Sequence, residues 1–183
     1  MDNNGFLLKL AKRTIQNYLE TQQVLIFDPD DLPSKTFLEK RGVFVTLTKD
    51  GELRGCIGNL EPRLPIYQAV IENSLAAAFC DPRFPALAKD ELEEIEIEIS
   101  ILSPLKKIPK MPSLKLLTYL EKNKPGLVLK LGKQSATFLP QVWEELTQPE
   151  KFLTHLSLKA GLELNSWQDS QTELYEYQVK IIK

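Results

Sequence analysis

The sequence predicts an α+β protein, mainly an antiparallel sheet flanked by helices, and three patterns carry that prediction. Ile95, Ile97, Ile99 and Ile101 alternate with Glu94, Glu96, Glu98 and Ser100, giving a strand with one apolar face and one acidic, wet face. Residues 42–47 and 53–58 flank the turn Lys49-Asp50-Gly51 and read as a hairpin. Residues 4–22 place Leu7, Leu10, Ala11, Ile15, Tyr18 and Leu19 at helical spacing, with Lys9, Lys12 and Arg13 between them, so an amphipathic helix packs on a sheet.

The remaining elements follow in order. Phe27 to Pro33 holds two prolines and three aspartates and is a loop. Pro62 to Phe79 reads as a helix with Pro65 in its first turn, stopped by Cys80-Asp81-Pro82-Arg83-Phe84-Pro85. Asp90 caps a short helical turn through Glu93. Residues 103–113 are a proline- and lysine-containing connector, and Leu114 to Leu120 is a short helix. Leu127 to Leu131 and Ala136 to Leu139 form a second hairpin, and Pro149 to Ala160 an amphipathic helix ended by Gly161. Tyr175, Tyr177, Val179 and Ile181 alternate with polar residues in one terminal strand.

The first hairpin decides where Cys56 points. A two-residue loop would pair Val45 with Cys56 and Leu47 with Arg54, mixing apolar and charged side chains on one face. A three-residue loop with Gly51 left-handed pairs Val43 with Ile57, Val45 with Gly55 and Leu47 with Leu53, leaving one clean apolar face. The three-residue loop is therefore expected. It puts Cys56 on the other face with Phe44, Thr46, Thr48, Glu52, Arg54 and Gly58.

Composition excludes several classes. At 183 residues with 43% hydrophobic and 26% charged residues, the chain builds its own core without disulfides or a structural metal. A net charge of −2 supplies no basic field for nucleic acid or acidic lipid. Two cysteines are too few for a secreted disulfide scaffold, and Met1-Asp2-Asn3-Asn4-Gly5 lacks the basic and apolar runs of a leader. No apolar stretch is long enough to span a bilayer. A soluble, cytoplasmic protein with reduced thiols is expected, without membrane or nucleic-acid partners.

The chemistry concentrates at Leu53-Arg54-Gly55-Cys56-Ile57-Gly58. Glycines within a strand let another chain or a ligand approach the backbone, and an arginine near a thiol favours its thiolate. Cys56 is the candidate nucleophile. Arg54, Gly55, Gly58, Asn59, Asp81 and Arg83 are the candidate substrate- or partner-binding residues, Arg83 because a guanidinium binds carboxylate or phosphate. The competing reading of Cys56 is a small buried hydrophobe wedged where its glycines admit a helix. Asp81-Pro82-Arg83 reads equally as a loop that holds itself together. His155 is the only histidine and has no cysteine pair at ligand spacing, so no metal centre is expected. A Cys56–His155 dyad would need the fold to join them. No phosphate-binding glycine loop occurs, no cofactor is expected, and Trp143 and Trp167 read as core or subdomain-interface residues.

In order along the chain stand Gly42-Val43-Phe44-Val45-Thr46-Leu47, Leu53-Arg54-Gly55-Cys56-Ile57-Gly58, Leu60-Glu61-Pro62 and Asp81-Pro82-Arg83-Phe84. Ile97-Glu98-Ile99-Ser100-Ile101-Leu102-Ser103, Phe138-Leu139-Pro140-Gln141-Val142 and Lys159-Ala160-Gly161-Leu162 follow. This series resembles the AMMECR family, called AmmeMemoRadiSam system protein A in prokaryotes, over nearly the whole chain. The resemblance implies a larger sheet-and-helix subdomain, 1–105 plus 165–183, and a smaller one, 106–164, in one AMMECR-type unit. It also implies a link to a Memo-like protein and a radical S-adenosylmethionine enzyme, but carries no reaction with it. Two positions depart from the family pattern. Pro125 stands where members often have His or Asp, and Ser157 where they often have cysteine, which removes a second-cysteine redox scheme at that position.

Two functions fit these observations. In one, the chain is an accessory or adaptor protein whose Arg-Gly-Cys-Ile-Gly face docks those partners. In the other it is a small enzyme in which Cys56 attacks an anionic substrate held by Arg54 and Arg83, with Asp81 orienting Arg83.

Overall fold

The structure, a computed structural model, describes residues 3–183; Met1 and Asp2, part of the stretch read for a leader, lie outside it. Along the chain come α1 (Asn3–Thr21), β1 (Val43–Lys49), β2 (Glu52–Asn59), α2 (Ile66–Phe79), β3 (Ile95–Leu102) and β4 (Lys106–Lys107). They are followed by α3 (Ser113–Asn123), β5 (Gly126–Leu131), β6 (Gln134–Phe138), α4 (Pro149–Lys159), β7 (Glu173–Tyr177) and β8 (Val179–Ile182). The strands form two four-stranded sheets, β2-β1-β3-β8 and β4-β7-β5-β6. This is the α+β architecture that the strand and helix patterns predict.

The first unit comprises the described residues up to Leu102, together with Lys180–Lys183. Leu7, Leu10, Ala11 and Ile15 of α1 and Val70 and Ala77 of α2 are buried with Val43, Val45, Leu47 and Ile99 of the sheet. The isoleucines of β3 stand opposite Val43, Val45, Leu47 and Lys49 of β1, while Glu96, Glu98 and Ser100 stand opposite Thr48, Thr46 and Phe44 on the other face. Helix α2 starts at Ile66 rather than Pro62, because residue 65 still belongs to an extended bridge between Lys40 and Pro65.

The hairpin corrects the expected register. Its loop has two residues, since Lys49 stands opposite Glu52, and Asp50 and Gly51 both take positive φ, 53° and 81°. Asp-Gly suits that turn. The face clash that argues against a two-residue loop is removed by a bulge: Thr48 pairs with Leu53 and Leu47 with Gly55, so Arg54 is the extra residue. Beyond the bulge Val45 meets Ile57 and Thr46 meets Cys56, two residues from the expected pairing. A shift of two preserves the face. Cys56 therefore lies with Thr46, Phe44 and Gly58 as expected, whereas Arg54 is bulged out and Leu53 and Glu52, on the turn side of the bulge, exchange faces.

The second unit is Ser103–Val179. Its core packs Leu116 and Leu120 of α3, Leu127 and Leu129 of β5, and Phe152, Leu153 and Leu156 of α4 around Trp143 and Trp167. The expected boundaries at 105 and 165 move to 102 and 179, because residues 173–177 do not join the first sheet. β7 pairs with β5 and β4, whereas β8 lies beside β3. The terminal alternation is thus two strands in two sheets, broken at Gln178, whose N–H donates to Ser103 Oγ at 3.0 Å.

Candidate functional site

Cys56 lies on β2, an edge strand, and an edge leaves alternate N–H and C=O groups without a strand partner. A neighbouring loop supplies them here. Asp81 Oδ2 accepts from the Cys56 N–H at 2.9 Å, and Arg83 Nη2 donates to the Cys56 carbonyl at 3.1 Å. The two side chains are joined to each other, Arg83 Nε donating to Asp81 Oδ1 at 2.9 Å and Nη2 to Oδ2 at 2.6 Å. The ion pair takes the place of a strand residue beside Cys56.

Local chemistry places that pair. Helix α2 ends as the Cys80 N–H donates to the Ala76 carbonyl, Pro82 cannot continue it, and the Arg83 N–H turns back to Asp81 Oδ1 at 3.1 Å. The Asp81 side chain is 1% exposed, while that of Arg83 is 53% exposed. Hydrogen bonds from the Arg83 side chain first, then from the Cys56 N–H, hold the Asp81 carboxyl well below the usual carboxylate range despite burial. Arg83 is kept more firmly protonated, chiefly by its hydrogen bond to Asp81. The Cys56 sulfur accepts from Thr46 Oγ1 at 3.3 Å.

The bulge re-aims Arg54. Its fork grips Glu91, Nε to Oε1 at 3.0 Å and Nη2 to Oε2 at 2.9 Å, while Nη1 donates to the Pro85 carbonyl at 3.0 Å. The Ala88 N–H also donates to Glu91 Oε2 at 3.0 Å. Arg54 first and Ala88 second pull the Glu91 carboxyl down to about 2. The expectation that Arg54 shares the face of Cys56 is corrected: its side chain is only 11% exposed and ties β2 to residues 85–91.

The glycines are filled by the protein itself. A Cβ on Gly55 would sit 2.2 Å from the Ala77 carbonyl oxygen, so Gly55 admits α2 against the sheet. A Cβ on Gly58 would lie 2.3 Å from the ring of Phe44, its partner on β1. The reading of both as room for a ligand gives way to close internal packing. Asn59 ends β2 opposite Val43, on the face away from Cys56. Cys80 is exposed at the end of α2, and His155 is exposed on α4 of the second unit. Ser157 is buried and donates to the Leu153 carbonyl at 3.0 Å; the Pro125 carbonyl accepts from Trp143 Nε1 at 2.8 Å.

Sequence reasoning missed Glu91 and the Glu98–Lys183 pair. Nothing local marks Glu91 among its acidic neighbours, and its partner is 37 residues away. A cavity of about 440 Å³ opens on the sheet face that carries Cys56. Thr46, Thr48, Glu96, Glu98 and Lys183 line it, and neither Cys56 nor the two arginines do. Lys183 Nζ lies 2.9 Å from Glu98 Oε2.

Fold and site together define a two-unit α+β protein with a glycine-flanked cysteine on an edge strand, bracketed by an aspartate–arginine pair. The AMMECR1 family model matches residues 8–182, and the chain belongs to that family. A protein of Methanopyrus kandleri, MK0488, is 38% identical over 100% of this chain and 89% of its own length. A Methanothermobacter thermautotrophicus protein is 38% identical over 98% of this chain and 93% of its own. The crystal structure of the uncharacterised protein PH0010 from Pyrococcus horikoshii matches with a TM-score of 0.84 at 35% identity, covering 98% of this chain and 90% of that one. Among the described residues no helix is long and apolar enough to cross a membrane.

Proposed function

We propose that the protein is an accessory or adaptor protein that acts with Memo-like and radical S-adenosylmethionine partners through the Arg54–Gly58 face of β2. The observation that carries this reading is the commitment of both arginines. Arg54 is clamped on Glu91 and Arg83 on Asp81, each through two nitrogens. Their charges hold the backbone around Cys56 in place, so the segment is a stiff surface for docking. Capture of the Memo-like or radical-enzyme partner from the same organism by the intact chain tests it. Retained capture by Cys56→Ser together with loss of pathway activity would defeat the adaptor role, because the thiol would then be doing chemistry.

The second reading, a small enzyme using Cys56 as nucleophile on an anionic substrate, draws support from the half-exposed Arg83 guanidinium, which reaches the Cys56 carbonyl. Arg54 drops out of that scheme, being buried on Glu91. The rate of Cys56 alkylation against pH in the folded Cys80→Ser chain is the test. A thiol unreactive up to about pH 9 ends the nucleophile reading.

A further inference from the structure

β2 is an outer strand of the first sheet, eight residues long, and one of its two sides faces β1. The other side presents the N–H and C=O groups of alternate residues, on which a further strand would pair. Cys56 is one of those residues, because its N–H and its carbonyl are bonded to Asp81 and Arg83 rather than to β1. Alternation makes Gly58 the next, while Ile57 turns inward to Val45. An open run of this kind invites pairing with a second copy of the chain.

Two features close it. Toward the turn, the bulge breaks the ladder at Arg54, whose side chain is drawn to Glu91 and the Pro85 carbonyl. At Cys56, Asp81 Oδ2 and Arg83 Nη2 take both hydrogen bonds that one residue of a neighbouring antiparallel strand would exchange with it. Holding the loop after α2 does not require this. The Arg83 N–H already turns back to Asp81 Oδ1, and the guanidinium grips the same carboxylate. Reaching across to β2 leaves the Asp81 side chain 1% exposed, and desolvation opposes burying a carboxylate. The compensating contact falls on one strand residue and on both of its backbone groups.

We infer that the Asp81–Arg83 pair is a guard on the edge of β2, occupying the strand-pairing groups of Cys56 so that a second copy of the chain cannot add its own β2 there. In an antiparallel β2–β2 pair the outward N–H and C=O groups of one copy would meet those of the other, and the two side chains stand where that partner backbone would lie. The guard operates whether the face docks a partner or Cys56 does chemistry. A molecule that meets this edge at Cys56 therefore meets charged side chains and not open backbone.

The test is sedimentation of the full-length chain in reducing buffer, with hydrogen exchange of the Gly58 amide as the local reporter. In the unaltered chain, Gly58 exchange should not depend on protein concentration. The double variant Asp81→Ala with Arg83→Ala should self-associate below about 1 mM, with Gly58 exchange slowed at least about threefold at the upper end. Cooperative thermal unfolding establishes that the variant is folded. Where it is not, Arg83→Ala alone takes its place, since it frees the Cys56 carbonyl by removing a half-exposed side chain. The inference is overturned if the folded variant associates no more than the unaltered chain up to that concentration. Association that leaves Gly58 exchange unchanged overturns it too, because the contact then lies elsewhere. So does concentration-dependent slowing at Gly58 in the unaltered chain, where the edge would be open with the guard in place.

Discussion

Around Cys56 the charged groups of Asp81, Arg83, Arg54 and Glu91 all have partners, whereas the buried Trp167 donor has none. The first arrangement joins Asp81, Arg83, Arg54 and Glu91 to each other and to the backbone of β2 and the 80–91 loop. The second leaves a buried indole N–H without an acceptor. A saturated network resists rearrangement and makes a stiff surface, while an orphaned buried donor is a local cost to stability. The glycine-rich motif thus announces rigidity, and the unsatisfied group lies in a segment with no motif at all.

The largest expected effect tests the rigidity of the first region. Gly55→Ala drives a Cβ against the Ala77 carbonyl, which belongs to helix backbone and cannot swing away. It should lower unfolding free energy by about 3 kcal/mol in urea titration. A loss under about 1 kcal/mol would show that α2 moves off the sheet easily and that the surface is soft.

Acid titration is the next lever. The Glu91 carboxyl is held down to about 2 and Asp81 is also depressed, so their stabilisation is fully present above the ordinary carboxylate range. It is lost as pH falls through the folded values. Between about pH 5 and pH 2 the Glu91 contribution should fall by on the order of 2 kcal/mol, and Glu91→Gln should flatten that limb of the stability curve. An unchanged limb in Glu91→Gln would mean that the Arg54 clamp contributes nothing to the edge.

The smallest effect bears on the comparison directly. Trp143→Phe strands the Pro125 carbonyl, while Trp167→Phe removes a donor that had no partner. Thermal or chemical denaturation should show Trp143→Phe costing about 1 kcal/mol more than its counterpart. Equal losses would indicate that the Trp167 N–H is satisfied in solution.

Much of the first unit is legible from short patterns. The isoleucine–glutamate alternation of β3, the amphipathic spacing of α1 and the Asp50-Gly51 turn depend on period and on intrinsic φ preference, which operate within a few residues. The bulge at Arg54 is different. No residue type demands it, and it exists because Glu91 and Pro85 lie where a guanidinium reaches them. The same limit applies to residues 173–182: the alternation at Tyr175, Tyr177, Val179 and Ile181 is the same whether one sheet or two receives it. Only the pairing with β5 on one side and β3 on the other divides it.

By itself the sequence determined the fold class, most of the elements, the face of Cys56 and the family signature, because each follows from side-chain periodicity or a contiguous motif. Tertiary structure alone decided that Asp81 and Arg83 seal the strand edge, that Arg54 belongs to Glu91, that the glycines are filled by Ala77 and Phe44, and that Trp167 lacks an acceptor. Those are questions of which donor meets which acceptor, and the partners come from segments tens of residues apart. Local pattern is silent on such meetings, since burial and close approach are created only when the chain packs on itself.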